Sequence, residues 1–108
     1  MSNVLEDLYN VVLDRQKNPQ EGSYTCYLFD KGIDKILKKV GEECSETIIA
    51  AKNGKKEDTV YEISDLIYHI LVMMANEGIA LDDVMAELDK RAQKIGNLKQ
   101  MRVTDKNT

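Results

Sequence analysis

The sequence predicts an all-α fold, a helical hairpin set in a bundle of four to five helices. Apolar residues recur at three- and four-residue spacing through four long stretches. No stretch alternates apolar and polar residues as a half-buried strand does. Glycine closes three of the stretches at Gly54, Gly78 and Gly96, with a left-handed stop expected at Asn53-Gly54, and Gly32 ends a shorter segment.

Val4, Leu5, Leu8, Val11 and Val12 mark a first helix from about Asn3 to Gln16. The chain's one proline, in Asn18-Pro19-Gln20-Glu21-Gly22-Ser23, breaks it. Ser23 suits the cap of a short helix through Tyr24 to Phe29, but Tyr24-Thr25-Cys26-Tyr27 suits an extended segment equally well. Ile33, Ile36, Leu37, Val40, Cys44, Thr47, Ile48 and Ala51 predict a long helix that stops at Asn53-Gly54. The next begins near Lys56 or Glu57 and runs through Val60, Ile63, Leu66, Ile67, Ile70, Leu71 and Met74 to Gly78. Its half from Leu66 to Ala75 is apolar on nearly every side, which calls for neighbours all round, within the domain or across a subunit interface. Asp82 and Asp83 favour a helix start, and Leu81, Val84, Met85, Leu88 and Ala92 carry that helix to Gly96.

The 108 residues predict one domain over residues 1–96 and a polar, basic tail over 97–108. A net charge of −4 argues against sequence-independent nucleic-acid binding, which needs a basic surface. No apolar run approaches the roughly 20 residues needed to span a bilayer. The first six residues lack a basic n-region, and Cys26 and Cys44 form no CxxC or zinc spacing, so a cytoplasmic chain with reduced thiols is expected.

Two acid pairs carry the chemistry. Glu43 with Glu46, and Glu62 with Asp65, each stand one helical turn apart on a common face. With 31% charged residues such pairs are often a solvated face. Here, however, Glu43 lies in phase with Ile36, Val40 and Thr47, and Glu62 and Asp65 are interleaved with Ile63, Leu66 and Ile67. Buried like charges need a cation between them. Oxygen-only ligands suit Mg²⁺, with Mn²⁺ as an alternative, and such ions also take substrate phosphates. The short link Asn53-Gly54-Lys55-Lys56 turns the two helices antiparallel, and the acids lie at similar distances from it, so all four can stand at one level. A metal-dependent enzyme acting on a phosphate ester or anhydride follows.

The motif Glu43-x-x-Glu46…Glu62-x-x-Asp65 resembles the ExxE…ExxD site of the all-α, MazG-like nucleotide pyrophosphohydrolases. Three stretches narrow the match: Glu21-Gly22-Ser23-Tyr24-Thr25, Lys39-Val40-Gly41-Glu42-Glu43-Cys44-Ser45-Glu46 and Glu62-Ile63-Ser64-Asp65-Leu66-Ile67-Tyr68-His69. Together they resemble the phosphoribosyl-ATP pyrophosphohydrolases of histidine biosynthesis, from about Leu5 to Arg91. Cys44 stands where many relatives carry a small residue such as alanine.

The resemblance implies cleavage of the α–β phosphoanhydride of 1-(5-phosphoribosyl)-ATP to phosphoribosyl-AMP and pyrophosphate. It implies Mg²⁺ on Glu43, Glu46, Glu62 and Asp65, with Glu42 or Glu46 as general base. It implies Lys39 on the phosphates, and Ser23 and Tyr24 as contacts from a loop closing over the ligand; His69, which shares the face of Asp65, is expected to touch the substrate or to support a ligand. Lys31, Lys35 and Arg91 are weaker cationic candidates. A homodimer is expected, and the cyclohydrolase of the next step belongs to a separate chain. Two rivals stand: a broad house-cleaning nucleoside-triphosphate pyrophosphatase, and a non-catalytic helical adaptor whose acids are merely solvated.

Overall fold

Helices alone make up the regular structure of the computed structural model, which describes residues 3–95. They are α1 (Val4–Lys17), α2 (Tyr24–Lys31), α3 (Ile33–Asn53), α4 (Lys56–Glu77) and α5 (Leu81–Ile95). The expected tail over 97–108 and the expected stop at Gly96 lie outside the described residues. No described helix is long and apolar enough to cross a membrane.

Each boundary has a local cause. Asn3 caps α1 by accepting from the amides of Leu5 and Glu6 at 3.0 and 3.2 Å. Ser23 caps α2 by accepting from Cys26 N at 3.2 Å, and this segment is helix, not strand. The two long helices stop at Gly54 (φ 75°) and Gly78 (φ 70°), left-handed positions that a residue with a Cβ adopts only at a cost.

The α3–α4 hairpin is the frame, and α1 and α2 pack against it. Leu28 of α2, Ile36 of α3 and Val72 of α4 are fully buried, with Val12, Leu71 and Met74 around them. Tyr9 and Leu81 close one end, where the Tyr9 hydroxyl donates to the Ile79 carbonyl at 2.6 Å and holds the α4–α5 turn against α1. Leu71, Val72, Met74 and Ala75 find cover within the chain itself, whereas Ile67 is 40% exposed. The expectation of complete enclosure for 66–75 is therefore met by this chain only toward the C-terminal end of α4.

Candidate active site

Glu43 and Glu46 project from α3 toward Glu62 and Asp65 of α4, and one carboxylate oxygen from each lies within 4.8 Å of the others. Such convergence needs a fixed register between the helices. Thr47, one turn beyond Glu43, supplies part of it: its hydroxyl lies 2.7 Å from the Glu43 carbonyl and 3.2 Å from the Glu62 carbonyl. It thereby ties the backbones of two of the four acid residues. Sequence reasoning saw Thr47 only as a member of the buried stripe; its i+4 spacing from Glu43 was the available signal.

The electrostatics are those of crowded anions. Glu43 is 2% exposed. Burial pushes its carboxyl up from the ordinary carboxylate range, and the Asp65 and Glu46 carboxyls beside it push the same way. The Glu62 carboxyl is pushed up to about 7, first by the Glu46 carboxyl beside it, then by burial and by the charges of Glu46, Glu43 and Asp65. Glu43 Oε2 and Glu62 Oε2 are buried without a hydrogen-bond partner. An unpartnered buried carboxylate oxygen is costly, and two on facing helices fit a hard cation between them.

Lys39 approaches from the preceding turn of α3, with Nζ 3.4 Å from Glu43 and 3.7 Å from Glu42. Burial alone would lower its pKa, but the Tyr24, Glu43 and Glu42 oxygens outweigh that and raise it, so the ammonium stays charged. Glu42 itself stands outside the quartet, with its side chain 46% exposed toward solvent. Cys44 is about 100° around α3 from Glu43 and about 160° from Glu46, on another face.

His69 is 2% exposed and has both ring nitrogens engaged. Nδ1 lies 2.7 Å from the Asp65 carbonyl, and Nε2 lies 2.9 Å from the Tyr24 hydroxyl. A carbonyl can only accept, so Nδ1 carries the proton and Nε2 accepts from Tyr24. His69 thus links the α2 segment to the backbone of an acid in the quartet. It also shares with Glu43 and Asp65 a grouping whose ligand atoms lie within 4.8 Å of one another. Ser23 is engaged as the cap of α2. Tyr68, which the sequence reading gave no role, bonds the Thr25 hydroxyl and stacks against Tyr24 at 6.5 Å between ring centroids.

A family model described as phosphoribosyl-ATP pyrophosphohydrolase matches residues 5–92, a span that contains the hairpin, the quartet and the α2 segment. The chain belongs to this family. It is 57% identical over 99 residues to the phosphoribosyl-ATP pyrophosphatase of Clostridium novyi, covering 92% of this chain and 90% of that one. Its identity to the protein of the same name from Clostridium acetobutylicum is 60%, with the same coverage. It is also 61% identical over 84 residues to the histidine biosynthesis bifunctional protein HisIE of Thermoanaerobacter pseudethanolicus, covering 78% of this chain but 39% of that protein.

Proposed function

We propose that this chain hydrolyses the α–β phosphoanhydride of phosphoribosyl-ATP, releasing pyrophosphate and phosphoribosyl-AMP, in histidine biosynthesis. One observation carries the reading: membership of the family over residues 5–92, with the four acids gathered inside that span. Glu43, Glu46, Glu62 and Asp65 are the residues that would hold Mg²⁺, or Mn²⁺. A divalent ion there would neutralise charge on the phosphate chain and acidify an attacking water.

The chain's own groups do the rest. Lys39, charged and at the rim of the quartet, binds phosphate oxygens released from competition with Glu43. Glu46, exposed and inside the quartet, takes the proton of the attacking water; Glu42, turned toward solvent, is the less suited base. Tyr24, held by His69, forms the wall on the α2 side, and Ser23 fixes that wall by capping the helix.

The protein acts as a cytoplasmic homodimer, with the cyclohydrolase of the next step on a separate chain. The dimer reading is supported by apolar side chains left at the surface on the faces of α3 and α4 turned from the quartet. Leu37 and Ile48 on one helix and Val60, Ile63 and Ile67 on the other are each 40% or more exposed.

The test measures pyrophosphate release from phosphoribosyl-ATP and from plain ATP, with Mg²⁺ and with excess EDTA. The expected result is turnover of phosphoribosyl-ATP that stops in chelator, with ATP much the poorer substrate. Undiminished turnover in EDTA overturns the metal role. Equal turnover of ATP favours the broad nucleotide pyrophosphatase instead.

A further inference from the structure

Beside the quartet, Tyr61, Ser64, Asp65 and Tyr68 line a hollow of about 230 Å³ on α4. Tyr61 and Tyr68 are seven residues apart, so they project within about 20° of each other around the helix. Ser64 lies between them and is too small to fill the gap. Asp65 closes the side toward the quartet, about 6 Å along the axis from Tyr61 and about 4.5 Å from Tyr68.

The two rings are held differently. Tyr68 is fixed at both ends, its hydroxyl bonded to Thr25 and its ring stacked on Tyr24. Tyr61 is 67% exposed, a large aromatic ring given to solvent beside the four acids. Burial in the core does not account for it, and the hollow lies on its inner side. A planar, apolar-faced ligand with an anionic chain on one edge fits such a place: the rings take its faces, and the chain runs past Asp65 into the quartet.

From this we infer that Tyr61 and Tyr68, with Ser64 as floor, form the subsite for the substrate's purine ring, and that Tyr61 is a specificity-determining residue. The inference rests on the quartet as the phosphate site of the proposed reaction. It adds a direction to the substrate, with the base along the N- to C-terminal run of α4 and the phosphates across toward α3. The preformed ring is Tyr68. The adjustable one is Tyr61, which swings onto the base when it arrives.

Kinetics on Tyr61→Ala and Tyr61→Phe, with two competitors, test the assignment. AMP carries a purine and one phosphate; tripolyphosphate carries the phosphate chain without a base. In Tyr61→Ala, KM for phosphoribosyl-ATP and Ki for AMP should rise together by about 5- to 150-fold, the range one stacked base supplies. The Ki of tripolyphosphate and kcat should stay within about threefold, and Tyr61→Phe should restore the wild-type constants. Calorimetric titration of AMP with Mg²⁺ present gives the same comparison without turnover. Wild-type AMP affinity in Tyr61→Ala overturns the subsite, as does an equal loss for tripolyphosphate. Should the wild type prove inactive on phosphoribosyl-ATP while Tyr61→Ala still loses AMP, the proposed reaction falls and the subsite stands.

Discussion

Glu62 shows what crowding of acids does to a single side chain. Its folded carboxyl is pushed up to about 7 by Glu46, burial and the other acids, against an ordinary value of 4.5. Between those values the folded metal-free chain holds a proton that the unfolded chain has released, so ∂ΔG/∂pH is negative there. The stability this proton confers is fully present below about 4.5 and is lost as pH rises through about 7. Chemical denaturation of the metal-free protein should therefore give a stability that falls from pH 4.5 to 7. Glu62→Gln should flatten that fall and, by putting a neutral amide into the proposed cation site, remove most activity. A wild-type profile that rises over the window would show that the carboxyls are not crowded in solution. The acids themselves were legible from one-turn spacing against an apolar stripe. The Tyr24–His69 bond and the reach of Thr47 to the Glu62 carbonyl were not, because each joins residues whose contact depends on how two helices settle together.

Within α3, one glycine stands without a local reason. Gly41 lies in mid-helix, where glycine costs roughly 1 kcal/mol relative to alanine, and a Cβ built there meets nothing within 4 Å. It shares a face with Leu37, Cys44 and Ile48, the face assigned above to the second copy. Close approach of a partner helix would explain it, as small residues let backbones come together. Gly41→Ala should then stabilise the isolated chain against denaturant yet weaken self-association at least tenfold by sedimentation, with Gly41→Leu monomeric. An unchanged dimer in both variants would move the interface elsewhere. At this scale the long helices were readable from period and stops. α2 was not: Tyr24-Thr25-Cys26-Tyr27 is as strand-prone as it is helical. The helix is favoured by the Ser23 cap and the complete burial of Leu28, the second of which no local pattern reveals.

For the molecule as a whole, the cation proposed for the quartet would be a ligand of the folded state alone. Saturating Mg²⁺ should raise the melting temperature of the wild type, on the order of 10 °C at a hundred times its dissociation constant. Thermal scans with and without Mg²⁺ at about a hundred times its dissociation constant check this. A shift no larger than that of Glu62→Gln would mean that the ion binds elsewhere. The hairpin and its antiparallel sense were legible, since a short glycine link leaves two long helices no other course. The division of Leu66–Ala75 into a half covered by the chain and a half left open was not, because it depends on where α1 and α2 come to rest.

All four acids lie between positions 43 and 65, on two helices joined by one tight turn. Bringing them together closes a short loop, and the entropy lost in closing a loop grows only with the logarithm of its length. Gathering the four acids therefore costs the chain little loop-closure entropy. Contacts of α1 with the α4–α5 turn, such as Tyr9 with Ile79, span far more sequence, and closing that longer loop costs somewhat more. The same turn that sets the acids at one level thus makes their meeting a local property of the chain, whereas the Tyr24 hydroxyl reaches His69 only once α2 has settled on the hairpin.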